Sequence, residues 1–218
     1  MREFDALRRY PKAAQRAVDE RGIANKLIAS ERGKEFFDGW RANGYGGLKD
    51  DGRWGPVADD LIDSYRLRVG DDMPACVLQV QAEKGFLLKA LRSRGVYVCG
   101  TETSPYAIEN AEVGLDIAWP TKLPYTAGSF DLALAIGPVY TGSLTDAVQT
   151  LRELCRVSRR HAFVTLGAWE SKDDFWLMRQ WSLLGTSLLA KSEWLEVMRF
   201  AGYTGDYSFV TAQTLGLA

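Results

Sequence analysis

The stretch ACVLQVQAEKGFLLKALRSRG, Ala75 to Gly95, holds an apolar run, a short connector and a segment with helical leucine spacing, in that order. A strand, a tight turn and a helix in this order open a nucleotide-binding α/β unit. In such a unit the connector is normally rich in glycine, so that the backbone can lie against a ligand. Here the connector keeps one glycine, Gly85, and otherwise holds Gln79, Gln81, Ala82 and Glu83.

The same alternation of strand and helix continues to the end of the chain. Hydrophobic patterning predicts strands at 76–81, 96–100, 130–136, 162–166 and 206–212, with a short extended piece at 113–116. It predicts helices at 84–94, 104–111, 144–157, 173–184 and 192–201. The alternation predicts an α/β fold with a doubly wound, mostly parallel sheet, whose ligand crevice lies at the carboxyl ends of the strands.

The first 67 residues predict an N-terminal helical extension that belongs to the same domain as the core at 68–218. Residues from about 2 to 41 have amphipathic helical spacing, and a shorter helix is predicted at 57–67. Between them lies NGYGGLKDDGRWGP, residues 43–56, which is too rich in glycine for a helix or an inner strand. This loop is either a lid on the crevice or a structural loop clipped to the domain by Trp54; the lid candidates are Tyr45, Asp51, Arg53 and Trp54.

Composition excludes several classes of function. The chain has 218 residues and 46% hydrophobic content, with 27 basic against 28 acidic side chains, so nucleic acid and anionic membrane surfaces are not predicted partners. The charged start is not typical of a signal peptide, and no apolar run is long enough to span a membrane. Three cysteines without CxxC spacing indicate buried thiols in a reducing cytoplasm. The single histidine, His161, excludes a histidine-based triad or a multi-histidine metal site, and no metal is expected.

Four stretches together resemble one family. VLQVQAEKGFLL, VYVCGTETSPYAIENA, TKLPYTAGSFDLALAIG and AGYTGDYSFV have the order and spacing of class I S-adenosylmethionine (SAM) dependent methyltransferases. The likeness is greatest to a bacterial group thought to act on small molecules, which also carries a leading loop like GYGGLKDDGRW. The resemblance covers about residues 34 to 210. It implies a Rossmann-like methyltransferase fold and SAM as the cofactor, if one is bound.

The turn after the first strand departs from that family. The group resembles Asp-x-Gly-Cys-(Ala/Gly)-Lys-Gly, and here Gln79 stands at the acid, Gln81 at the first glycine and Glu83 at the small residue; Lys84 and Gly85 match. Gln81 adds an amide side chain where backbone would meet the ligand. Glu83 adds a carboxylate near the expected carboxylate of SAM, and a like charge at about 4 Å costs on the order of a few kcal/mol at an effective dielectric of about 20.

Two further positions follow the family's ligand contacts. Glu102, after the second strand, resembles the acid that binds the ribose hydroxyls through two acceptor oxygens. At the position that often contacts adenine this chain has Trp119, and Asp116, three residues earlier, would need a shifted loop to substitute. The resemblance therefore assigns six residues to a cofactor site: Gln79, Gln81, Glu83, Gly85, Glu102 and Trp119.

The substrate side has candidates but no evident catalytic base. Tyr140 and Thr141 follow the fourth strand, where the group carries polar residues that face the substrate. Residues 181–184 read Trp-Ser-Leu-Leu where the group resembles Trp-Gln-Leu-Thr. Trp119, Trp169 and Trp181 are expected near the crevice mouth, and the catalytic candidates are Tyr45, Arg53 and Tyr140.

Three functions remain open from the sequence. The first is a methyltransferase-like protein of small-molecule metabolism with a remodelled SAM site, which acts as a subunit of a partner enzyme or on another small molecule. The second is a working SAM-dependent methyltransferase of a small metabolite, since methyl transfer depends mainly on in-line placement. The third is an interaction module that uses an exposed patch around Trp119, or the open edge of the last strand, in a homo- or hetero-oligomer.

Overall fold

The computed structural model describes residues 1–11, 21–70 and 72–217, and its centre is a parallel sheet of seven strands within those ranges. The strands are β1 (Cys76–Val80), β2 (Tyr97–Glu102), β3 (Asp116–Ile117), β4 (Phe130–Ala135), β5 (Ser158–Trp169), β6 (Leu189–Ala190) and β7 (Asp206–Val210). Their order is β3-β2-β1-β4-β5-β6, and β7 pairs with β5 beside β6. Strand order reverses at β1, which pairs with β2 on one side and with β4 on the other. The predicted doubly wound, mostly parallel architecture is confirmed.

Ten α-helices occupy the described ranges. They are α1 (Ile23–Ser30), α2 (Lys34–Phe37), α3 (Trp54–Tyr65), α4 (Phe86–Arg92), α5 (Pro105–Glu109), α6 (Pro138–Thr141), α7 (Leu144–Val157), α8 (Lys172–Trp181), α9 (Lys191–Ala201) and α10 (Ala212–Leu215). A 3-10 turn at Arg41–Asn43 follows α2. None of these helices has the length and apolar content needed to cross a membrane.

Side chains on the two faces of the sheet enter two different hydrophobic clusters, because successive residues of a strand point to opposite faces. Leu78 and Val80 belong to the cluster that also contains α7 and α9 side chains, including the fully buried Trp194. Val77 belongs to the cluster that packs α3 and α4 against the sheet. Every residue of β4 is buried, as expected for a strand covered on both faces.

The helical spacing predicted from about residue 2 to 41 corresponds to separate short helices and not to one continuous element. Within the described part of this segment, α1 ends before Arg32, which takes a left-handed backbone conformation with φ 48°, and α2 begins at Lys34. The chain start is not helical either, since Glu3 pairs with Tyr207 and extends the sheet beyond β7. Residues 12–20 of the predicted helix lie outside the described residues.

Other boundaries move because of local backbone chemistry. The helix predicted at 57–67 begins earlier, at Trp54, and ends at Tyr65, after which Arg66 is left-handed with φ 49°. β5 is longer than the predicted 162–166, since its start pairs with β4 and its end pairs with β6. Ser104 caps α5 by accepting from the Ala107 amide, so this helix begins close to its predicted start at residue 104. The short elements α6, β6 and α10 were not predicted.

Candidate functional site

The turn between β1 and α4 keeps a glycine-like backbone while carrying side chains. Gln81 and Glu83 have φ of 55° and 56°, and Gly85 has φ of 72°. Left-handed conformations cost residues other than glycine roughly 1–2 kcal/mol each, because the Cβ crowds the following carbonyl. The turn therefore takes backbone conformations that favour glycine at two positions that hold other residues.

This turn is tied directly to the end of β2. The Ala82 amide donates to the Thr101 carbonyl at 2.8 Å, and the Glu83 amide donates to Glu102 Oε2 at 2.8 Å. Gln81 and Glu102 therefore lie at the same edge of the sheet, at the point where strand order reverses. This is the crevice position that the topology predicts.

Glu102 is completely buried, and donors of the chain itself surround its carboxylate. Oε1 accepts from the backbone amides of Thr103 at 2.7 Å and Ser104 at 3.0 Å, and from Arg32 Nη2 at 3.3 Å. Oε2 accepts from the Glu83 amide and from Arg32 Nη2 at 3.2 Å. A carboxylate offers about four lone-pair directions, so this one has no acceptor left for the hydroxyls of a ribose. In this arrangement Glu102 does not fit the role of a ribose ligand.

The segment 23–52, here called the strap, crosses the ends of β1 and β2 and is held there by Asp38. Lys84, itself buried, donates from Nζ to Asp38 Oδ2 at 2.6 Å and to the Leu48 carbonyl at 3.0 Å. The Tyr106 hydroxyl donates to Asp38 at 2.6 Å. Partial burial opposes the charged form of Asp38, but the hydrogen bonds from Lys84 and Tyr106 outweigh it and hold the pKa of this carboxyl below its usual range.

The glycine-rich part of the strap contacts the turn itself. The Tyr45 hydroxyl donates a short hydrogen bond to Glu83 Oε1, and Asp50 pairs with Lys89 Nζ at 3.0 Å. The loop thus lies over the carboxyl end of β1, which is the position that the lid interpretation requires. Whether it moves on ligand binding stays a prediction.

Arg53 and Trp54 point to a different neighbourhood. Arg53 forms an ion pair with Asp51 and lies over the Tyr10 ring, which in turn packs on Trp54 at 4.5 Å between centroids. The hydrogen bonds from Arg53 lower the pKa of Asp51 to about 2. Arg53 therefore does not lie beside Tyr45 at the turn. Trp54, the residue expected to hold the loop on the domain, packs on Tyr10.

Gln79, which the resemblance assigns to the family's acid position, is 5% exposed, and its Oε1 has no hydrogen-bond partner among the described residues. Trp119, which the resemblance assigns to the adenine position, is 68% exposed and lies in a turn with Lys122. The preceding residue, Ala118, donates its amide to the Glu102 carbonyl at 3.4 Å, so this loop borders the crevice. Asp116 accepts from the Tyr125 hydroxyl at 2.7 Å and is thus already engaged.

The substrate-side candidates are packed elements of the fold. Tyr140 is buried in α6, its ring lies against Gly167, and its carbonyl accepts the amides of residues 186 and 187. Thr141 donates to the Pro138 carbonyl, and Trp169 donates from Nε1 to the Leu188 carbonyl at 3.1 Å. Trp181 ends α8, and its carbonyl accepts from Arg21. The catalytic roles of Tyr45, Arg53 and Tyr140 stay predictions.

Two cavities are formed by described residues away from this crevice. One, of about 600 Å³, lies between α7 and α9 and is lined by Leu144, Val148, Val197 and Phe200, among others. The other, of about 80 Å³, lies at the amino ends of β5 and β7, beside His161 and Asp206. In the described part of the chain, no three histidine, cysteine or acidic side chains converge on a possible metal position.

Part of the chain is similar to a known protein family. Residues 78–166, from β1 through most of β5, match the protein-family model described as a methyltransferase domain. Over this range, which is less than half of its length, the chain is similar to a methyltransferase domain. The match includes the turn between β1 and α4, Glu102 and the loop at Trp119. No curated protein matches the chain significantly.

Solved structures place this domain in the class I fold. YcgJ of Bacillus subtilis is 17% identical with a TM-score of 0.54, covering 66% of each chain. A chain from a complex between the Haloferax volcanii Trm112 methyltransferase activator and a methyltransferase is 18% identical, with a TM-score of 0.51; the match covers 70% of this chain and 74% of that one. The [4+2]-cyclase SpnF is 20% identical, with a TM-score of 0.51 over 68% of this chain and 56% of its own. At these identities the likeness establishes the fold alone.

Two residues of the strap, Arg32 and Asp38, were not among the site residues predicted from the sequence. Arg32 pairs with Glu102, and Asp38 pairs with Lys84. Both strap residues fall in the segment 2–41, which was predicted only to be helical and was not assigned to the crevice. The signal that was available is Gly33, because a glycine after a short helix indicates a C-terminal cap.

Proposed function

We propose that this protein is a methyltransferase-fold protein of small-molecule metabolism whose SAM site has been remodelled, and that it does not perform conventional SAM-dependent methylation. It would instead act on another small molecule or as the subunit of a partner enzyme. The observation that carries the proposal is the saturated carboxylate of Glu102, whose acceptor positions are taken by Arg32 and by three backbone amides.

The altered turn supports the same conclusion independently. Gln81 and Glu83 hold strained left-handed positions, although glycine would relieve the strain. Glu83 directs its carboxylate to Tyr45 at the place where SAM would bring a carboxylate of its own. Gln81 and Glu83 oppose SAM binding and also strain the backbone. A turn that binds SAM would not be expected to keep both residues.

The class I fold is compatible both with an enzyme that acts on another small molecule and with a subunit of a partner enzyme. Of the solved neighbours, one is named a [4+2]-cyclase and another comes from a complex with a methyltransferase activator. A working methyltransferase is the second candidate, because the turn keeps its glycine-like backbone, and Lys84 and Gly85 match the family pattern. In that case the strap would have to release Glu102 before SAM could bind.

Calorimetric titration of the unaltered protein with SAM and with its demethylated product separates the candidates. We expect a dissociation constant above ~1 mM for both, which corresponds to less than about 4 kcal/mol of affinity. Micromolar binding of either compound would reject the proposal and establish the second candidate. We also propose a cytoplasmic location, which the three unpaired cysteines support and fractionation can check.

A variant that restores the turn and frees Glu102 tests whether these residues are responsible. Gln79→Asp, Gln81→Gly and Glu83→Ala restore the family pattern, and Arg32→Gly in the same background releases Glu102, so we expect measurable binding of SAM to appear in the combined variant. Arg66→Gly in place of Arg32→Gly is the matched control, since it also replaces a left-handed residue by glycine but lies at the end of α3. If the combined variant does not bind, Trp119→Asp added to it tests whether the adenine end is closed as well.

A further inference from the structure

Arg32 has a backbone conformation that favours glycine. It follows the C-terminal end of α1 in a left-handed conformation, with φ 48°, and its amide donates to the Ala29 carbonyl. Glycine is the residue that most often takes this position after a helix, because it has no Cβ to crowd the backbone. A long charged side chain at this position therefore needs a reason in its own contacts.

Those contacts amount to a pocket for a planar cation. The Arg32 side chain is 16% exposed, and its Nη2 reaches both oxygens of the fully buried Glu102, at 3.2 and 3.3 Å. Its guanidinium carbon lies 5.6 Å from the centroid of the Phe36 ring and 5.7 Å from that of Phe37. A carboxylate beside two aromatic rings is the combination that proteins use to hold guanidinium and ammonium groups.

The fit of Arg32 to this pocket is incomplete. Its Nε is buried and has no acceptor among the described residues, so the guanidinium leaves one donor unsatisfied. The other cation beside the turn, Lys84, is paired with Asp38 and does not neutralise Glu102. Among the described residues, Arg32 is thus the cation that balances the charge of Glu102. It does so through a single terminal nitrogen, Nη2.

We propose that Glu102, Phe36 and Phe37 form a guanidinium-binding site and that Arg32 is its internal occupant, a latch that keeps the strap over the ends of β1 and β2. A ligand with a guanidinium or other planar cationic group would compete for this site and release the strap. The inference deepens the proposed function by naming what closes the remodelled site. Its test makes no use of SAM, so the two proposals fail separately.

The test replaces the latch and supplies the missing cation from solution. Arg32→Gly removes the side chain and relieves the backbone; Arg66→Gly is the matched control, an exposed left-handed arginine that also follows a helix. We expect the midpoint of thermal unfolding to fall by at least about 5 °C in Arg32→Gly, since a buried carboxylate loses its cation, and to rise by about 1–4 °C in Arg66→Gly, where only left-handed strain is relieved.

Methylguanidinium chloride then acts as the probe. At ~20 mM it should raise the midpoint of Arg32→Gly by about 3 °C relative to sodium chloride at the same ionic strength, and leave the midpoints of the unaltered protein and of Arg66→Gly unchanged. Hydrogen exchange at the amides of residues 83, 103 and 104, which donate to Glu102, should become faster in Arg32→Gly and slow again with the probe.

Two results with Arg32→Gly would overturn the proposal. One is an equal effect of Arg32→Gly and Arg66→Gly on the midpoint; the other is a loss in Arg32→Gly that methylguanidinium does not recover. Arg32→Lys keeps the charge but not the planar fork, and serves if Arg32→Gly does not fold. It should show an intermediate loss with a smaller response to the probe, and a response equal to that of the unaltered protein would also count against the latch.

Discussion

The carboxyl ends of β1 and β2 and the outer faces of α7 and α9 differ in how they are covered. At the first region, where strand order reverses, the strap forms ion pairs with Glu102 and Lys84, and Glu102 has no exposed surface. At the second region an open groove of about 600 Å³ remains, and Phe200 beside it is 74% exposed. The fold therefore indicates where a ligand would bind, but the side chains determine whether that position is accessible.

The two regions also differ in what holds them. The crevice depends on pairs of buried or half-buried charges, which are costly when one partner is removed. The groove is bordered by apolar side chains and by Arg152, whose guanidinium lies 5.6 Å from the centroid of the Phe200 ring. Substitutions should accordingly have large effects at the crevice and small effects at the groove.

The largest effect is expected from Glu102→Ala. It leaves the Arg32 guanidinium in its pocket without a carboxylate and removes the acceptor of three backbone amides, which should lower the free energy of unfolding by about 3–5 kcal/mol. Urea unfolding measures it. Glu112→Ala removes an exposed carboxylate paired with Lys89 and is the control, with an effect of about 0–1 kcal/mol. Similar losses in both variants would mean that the crevice is not held as described.

A smaller and pH-dependent effect is expected from Asp38→Asn. The loss of the charged acceptor of Lys84 should lower the free energy of unfolding by about 1–3 kcal/mol at pH 7. Because the folded state lowers the pKa of Asp38, its contribution is complete above the ordinary value of about 4 and is lost as pH falls through the lower folded value. The difference between the unaltered protein and Asp38→Asn should therefore shrink below about pH 4. With the exposed Asp63→Asn as control, a difference that stays constant with pH would contradict this assignment.

Gln81→Gly should change stability in the opposite direction. Relief of the left-handed strain outweighs the added flexibility of glycine in the unfolded chain, so we expect a gain of about 0.5–1 kcal/mol. Gln149→Gly, in the middle of α7, is the matched control and should lose about 1 kcal/mol. Chemical denaturation of both variants shows the signs directly. A loss in Gln81→Gly would mean that the glutamine side chain contributes contacts that exceed the strain.

The smallest effect is expected at the groove. Phe200→Ser removes an exposed ring and should change the free energy of unfolding by no more than about 0.5 kcal/mol. Thermal unfolding and solution mass should both be unaltered. A loss above about 2 kcal/mol, or a change of mass, would show that the groove is a packed or self-associating surface. The contrast between the two regions would then no longer hold.

Several parts of the structure could be predicted because they depend on local pattern. The apolar runs of β1 and β4 and the helical spacing of α7 fix strand and helix without reference to distant residues. Short pieces such as β6 could not be found, since two residues carry no periodicity and pair only because β5 extends to meet them. That residues 1–67 and 68–218 form one domain stays a prediction, although Val57 and Val77 share a hydrophobic cluster.

The sequence by itself determined the class of fold and the placement of Gln81 and Glu102 at the same edge of the sheet. These follow from hydrophobic periodicity and from residue types read in order along the chain. The tertiary structure alone revealed that Glu102 is occupied by Arg32 and that Asp38 holds Lys84, because these pairs join residues 70 and 46 positions apart. Whether a carboxylate is free or satisfied depends on every donor within about 3 Å, and sequence spacing does not report that distance.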